Sequence, residues 1–203
     1  MSNTLILYGV TDKDELVKSL GMAVDLPSDK INKIVFISNE TDDVNMKILE
    51  SFFTKTCCGG PEVTITELKN GKMYQKVHNE KTNNFLHLET TDLFSEALKY
   101  AKQEKQPVVI AEVGCLFTTN TTNCLVNTFQ DKNIGASYCT QVVNKCIQYQ
   151  PSFSPSIKYQ FPLGHIAIRP ELINGDEKSM FELVINAFKK SVVSKIPGIY
   201  VFK

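Results

Sequence analysis

Seven residues, Pro107-Val108-Val109-Ile110-Ala111-Glu112-Val113, constrain the fold more than any others in the chain. The run is rich in β-branched residues and apolar on both faces. A strand open to water on one side alternates apolar with polar residues, whereas a strand covered on both sides does not. The run therefore predicts a central parallel strand with helices above and below it. An amphipathic helix precedes it over 92–105. Leu93, Phe94, Ala97, Leu98 and Ala101 share one face, Thr91 is the expected cap, and Lys99, Lys102 and Lys105 oppose the C-terminal dipole.

The rest of the chain repeats this alternation. Short apolar runs predict strands at 5–10, 33–38, 85–88, 136–143, 164–169 and 199–202. Asn70-Gly71 predicts a hairpin between 62–67 and 72–77. Thr11-Asp12-Lys13-Asp14 starts a helix whose face is Leu16, Val17 and Leu20 and whose stop is Gly21. Further helices are expected at 43–55, at 124–130 after the polar stretch 118–123, and at 176–193. The last carries Met180, Phe181, Val184, Ala187 and Phe188 on one side and a Ser179-x-x-Glu182 capping box. Strands alternating with helices of this length predict an α/β three-layer sandwich with a mostly parallel central sheet.

Lys+Arg and Asp+Glu both number 22 in 203 residues, so the net charge is zero and the pI is near 6.8. That balance excludes binding to nucleic acid by bulk charge, which needs a basic surplus. No apolar run approaches the ~20 residues of a spanning helix, and the N-terminus lacks the basic region of a signal peptide. The expectation is a cytoplasmic chain with no membrane and no nucleic-acid partner. Six cysteines without a C-x-x-C and three histidines give no ligand set for zinc, so neither metal nor cofactor is expected. Glycine fingerprints for nucleotide phosphates are absent, with Gly9 standing alone after the first strand.

Working residues of an α/β sheet collect past the C-terminal ends of its strands. Cys115 lies two residues beyond the central strand. A thiol there can act as a nucleophile if a base activates it, or pack as a small core residue, the commonest fate of a free cysteine. Position alone favours packing. Candidate bases are His78, His87 and His165. Arg169, the single arginine, ends an extended segment and suits a carboxylate, whether internal or ligand-borne. Asp12, Asp14 and Glu15 cluster at a helix start, which the helix dipole already accounts for.

The order of several short motifs resembles the caspase family of cysteine peptidases. Gly9-Val10-Thr11-Asp12-Lys13-Asp14 through Leu20-Gly21-Met22-Ala23-Val24 is similar to the family's G-T-D-x-D, helix, L-G-[YF]-x-V segment. Lys105-Gln106-Pro107 through Cys115 resembles the strand that ends in the family's nucleophile. Gly164-His165-Ile166-Ala167-Ile168-Arg169 resembles the small-subunit strand whose arginine binds the substrate aspartate. Ser179-Met180-Phe181 and Lys195-Ile196-Pro197 resemble the segments that follow. Two features depart from the family. Cys115 sits in Val113-Gly114-Cys115-Leu116-Phe117 instead of Q-A-C-[RQG]-G, and Glu67-Leu68-Lys69-Asn70-Gly71 lacks the family's histidine.

The resemblance implies a single caspase-like domain over 1–203, with a large-subunit-like part at 1–131 and a small-subunit-like part at 132–203. It implies Cys115 as the nucleophile position, Arg169 as the substrate-binding residue and Asp131 as a cleavage point; with the family's histidine missing, His78, if the hairpin folds back, or His87 is the base left to pair with Cys115. It also implies a protein partner, a caspase or a second copy, through Ile199, Tyr200, Val201 and Phe202. The function expected is a catalytically impaired caspase-like regulator of cell death or host defence, leaning away from an enzyme. The alternatives are an active cysteine peptidase using a non-standard histidine, and an unrelated α/β ligand-binding or interaction domain. The caspase-like readings depend on Cys115 and Arg169, 54 positions apart, meeting over one rim of the sheet; if they lie on opposite sides, only the unrelated α/β domain is left.

Overall fold

The chain enters the sheet at Asn3, whose backbone and side-chain amides both donate to the Lys30 carbonyl at 2.9 Å, tying the starts of two strands together. The structure, a computed structural model, describes residues 3–9, 13–24, 30–38, 62–69, 72–77, 84–87, 92–115, 119–143, 146–147 and 165–202. Ten strands form one sheet: β1 (Asn3–Gly9), β2 (Ile31–Ser38), β3 (Glu62–Lys69), β4 (Lys72–Val77), β5 (Asn84–His87), β6 (Val108–Glu112), β7 (Ile134–Val143), β8 (Cys146–Ile147), β9 (His165–Ile168) and β10 (Val192–Phe202). The helices are α1 (Lys13–Val24), α2 (Leu93–Gln103), α3 (Thr119–Asn127) and α4 (Met180–Lys190), with short 3-10 turns at Thr128–Gln130 and Pro170–Leu172.

The sheet order is β10-β7-β9-β6-β1-β2-β3-β4-β5, with β8 beside β7. β3, β2, β1 and β6 form a parallel block, and the flanking pairs β3–β4, β4–β5, β6–β9 and β7–β9 are antiparallel. The two-residue period of β1 divides its side chains between two cores. Leu5 and Leu7 join Phe36, Val109 and Ala111 under Ala23 of α1 and Leu125 of α3. Ile6 joins Val35, Ile37 and Ile110 under α2 and α4, through Phe94, Leu98, Leu183 and Ala187. Helices on both faces of one sheet make the α/β sandwich that the central run implied.

Local differences from the expectations have identifiable causes. Val17 is 38% exposed, so it is not part of the buried face of α1. The cap of α2 is Asp92, whose carboxylate accepts from the Phe94 amide at 3.0 Å. The polar stretch Thr-Asn-Thr-Thr-Asn is helical, since α3 starts at Thr119 and buries Thr121 and Thr122. Ser179 caps α4 by accepting from the Glu182 amide at 3.2 Å, but the helix ends at Lys190 because Val192 and Val193 pair with β7. β10, an edge strand, contains the Ile199–Phe202 stretch. The expected helix at 43–55, the Thr91 and Thr11 caps, and His78 lie outside the described residues. No helix among the described residues is long and apolar enough to cross a membrane.

Candidate functional site

The chain passes from β1 through α1 to β2 on one side, and later returns to place β6 on the other side of β1. The connections leaving the C-terminal ends of β1 and β6 therefore lead to opposite sides along the sheet, and such a point is the usual place for a ligand in an open α/β sheet. Tyr8 and Gly9 end β1 at this rim, and Glu112 ends β6. The Val113 amide donates to the Tyr8 carbonyl at 2.8 Å, and the Cys115 amide closes a turn onto the Glu112 carbonyl at 3.0 Å.

Two glycines allow this close approach. Gly9 has φ +149° and Gly114 φ +86°, a region that L side chains rarely adopt. A Cβ on Gly114 would lie 3.0 Å from the Glu15 carboxyl carbon, and one on Gly9 would lie 3.1 Å from Val113 Cβ. The Gly114 amide donates to Ser19 Oγ at 3.1 Å, so the β6 turn is pinned onto α1 with the Glu15 carboxylate against it.

The rim is acidic and holds one phenol. Burial raises the Tyr8 hydroxyl above its ordinary range, and the charges of Glu112, Cys115 and Asp92 raise it further. Tyr8 therefore stays protonated at neutral pH and is a hydrogen-bond donor among acceptors. Its ring packs on Phe94 with centroids 5.4 Å apart. His165 opens β9 opposite Ala111, and burial lowers its imidazole to about 3, so it is neutral.

Cys115 and Arg169, singled out in the sequence, do not come together. Cys115 has 0% exposure and belongs to the core with Leu125 and Phe129, where no substrate reaches it. Arg169 follows β9, which runs antiparallel to β6 with Ile168 opposite Val108. Its side chain is therefore at the start of β6, and Cys115 is past the end. The five residues of β6 put roughly 17 Å of strand between them. Among the described residues Arg169 holds no carboxylate. It donates to the carbonyls of Ile134 at 2.8 Å, Phe129 at 3.2 Å and Asp131 at 3.4 Å, and lies 5.2 Å over the Phe129 ring. Asp131 forms a turn, accepting from the Asn133 amide at 2.9 Å. His87 ends β5 at the far side of the sheet.

No protein-family model matches the sequence, and no curated protein matches it. Solved structures do. The mannosyltransferase PcManGT from Pyrobaculum calidifontis, in complex with GDP-Man and Mn2+, superposes with a TM-score of 0.64 at 15% identity, over 98% of this chain and 56% of that one. TarS 1-349 of S. aureus with UDP-GlcNAc gives 0.62 at 12% identity, over 100% and 58%. GalNAc-T7 with UDP, GalNAc and Mn2+ gives 0.65 at 12%, over 100% and 43%. These are glycosyltransferases of the GT-A fold. The chain has this fold. It spans between 36% and 60% of the length of the structures it matches.

The GT-A likeness overturns the caspase resemblance and what depended on it: the impaired regulator, the active cysteine peptidase, and the lean away from an enzyme. It equally replaces the unaffiliated binding or interaction domain. Short motifs in the right order do not specify which strands become neighbours, and the folded sheet superposes on GT-A proteins. Two of the matched structures hold Mn2+. Among the described residues of this chain, no three His, Cys, Asp or Glu side chains gather to hold a metal ion.

Proposed function

We propose that this chain binds a nucleotide sugar at the C-terminal rim of β1 and β6 and belongs to an enzyme that transfers the sugar to an acceptor. The observation that carries the reading is the pair of adjacent strand ends, with Tyr8 on β1 opposite Glu112 on β6, at the switch point of a fold shared with proteins solved with GDP-Man and UDP-GlcNAc. The carboxylates of Glu15 and Glu112 are acceptors suited to ribose or sugar hydroxyls. The Tyr8 phenol is the donor, and Cys115 contributes packing beneath the rim.

Calorimetric titration of the chain with UDP-GlcNAc and with GDP-mannose tests this reading. At least one should bind saturably. Tyr8→Phe, which keeps the ring contact with Phe94, should weaken that binding about 3- to 10-fold, the worth of one hydrogen bond. Absence of saturation by either compound at a few times ~1 mM would overturn it.

A further inference from the structure

A cavity of about 450 Å³ lies at the end of the sheet opposite the β1–β6 rim, within the size range of small-molecule sites. It opens at the starts of β1, β2 and β6 and the end of β9, and the end of α3 with the 3-10 turn after it forms one wall. Three cations line it: Lys30, Lys132 and Arg169. Among the described residues none of the three has an ion pair. Among these residues Lys30 Nζ meets only the Asn127 carboxamide oxygen at 3.5 Å, and neither Lys132 Nζ nor Arg169 Nη1 has a described hydrogen-bond partner. Glu171 is the one acid of the lining, so the charge there is three positive less one negative, in a chain whose total is zero.

Each cation is held from a different element. The Lys30 backbone is fixed by the two amides of Asn3, and the Arg169 guanidinium by three carbonyls and the Phe129 ring. β2 and β9 are three strand spacings apart, roughly 14 Å, which two long cationic side chains span with a small anion between them. The carbonyls of Phe129, Asp131 and Ile134 offset part of the Arg169 charge, leaving the two lysines to neutralise a ligand. Asn127 and Gln130 add carboxamides for hydroxyl groups.

We propose that this cavity binds a small, hydroxyl-bearing phosphate monoester, its dianion between Lys30, Lys132 and the open edge of Arg169. The site is separated from the β1–β6 rim by the length of β6 and stands whether or not the rim takes a nucleotide sugar.

Titration of the full chain with ribose 5-phosphate tests the proposal. Binding should saturate at one equivalent, ribose alone should not bind, and inorganic phosphate should compete. Lys30→Glu and Lys132→Glu should each weaken binding about 10-fold or more with unchanged melting temperature, and Lys132→Gln serves if a reversal disturbs the fold. Tyr8→Phe, at the other rim, should leave the affinity unchanged. Absence of saturation, equal binding by the lysine variants, equal binding of ribose, or loss of binding in Tyr8→Phe would each overturn it.

Discussion

His165 is 2% exposed on a strand between two apolar neighbours, and burial holds its imidazole down at about 3. The unfolded chain takes up that proton near the ordinary value of about 6.5, so it binds more protons than the folded chain throughout the interval between these values. This contribution to stability is full above about pH 6.5 and falls as the pH drops, by at most about 1.4 kcal/mol per unit. Melting curves from pH 7 to 4 should therefore be steeper for the native chain than for His165→Leu. Parallel curves would contradict a buried neutral imidazole. The cysteines give a second prediction at this scale. Cys115 and Cys139 are buried, and burial together with Cys124 pushes the Cys139 thiol up to about 12. Half-buried Cys124 should be alkylated by iodoacetamide before either of them, a difference that denaturant should abolish. Fastest labelling at Cys115 would restore a reactive thiol there. The tendency of a free cysteine to pack was legible in sequence. The role of Arg169 was not, because its partners are backbone carbonyls from 40, 38 and 35 positions away and carry no side-chain signature.

Among the elements, the turn after β6 decides the shape of the rim. Gly114→Ala places a methyl against the Glu15 carboxylate at φ +86° and should cost about 1–2 kcal/mol, or about 2–8 °C in melting temperature. In a Glu15→Ala background the loss should shrink to the backbone part alone. An undiminished melting temperature in Gly114→Ala would contradict the described turn. Elements with strong periodicity were legible: β6 from its unbroken apolar run, α2 from its single apolar face, and the β3–β4 hairpin from Asn70-Gly71, where Lys69 pairs with Lys72. α3 was obscured because its first residues are threonines and asparagines, poor helix formers held in place by burial of Thr121 and Thr122. The start of β10 was hidden in the tail of a helical pattern, because valines suit either period.

For the whole molecule, the sandwich followed from alternating elements, whereas strand order and direction did not. Cys115 and Arg169 each follow an apolar strand, and nothing local records that β9 runs against β6. That reversal separates the pair by the length of the sheet and removes the basis of a peptidase site. The rim escaped notice for a related reason. It is formed by strand ends that meet only in the folded sheet, and by Gly9 and Gly114, which are far apart in sequence and match no phosphate-loop spacing. The most direct measurement is amide shift mapping of the isotope-labelled chain titrated with UDP. Shifts should centre on Gly9, Glu112 and Gly114 and persist in excess inorganic phosphate, which occupies the far cavity of Lys30 and Arg169 without displacing UDP from the rim. Shifts confined to that far end, or none at saturating UDP, would contradict a site at the rim.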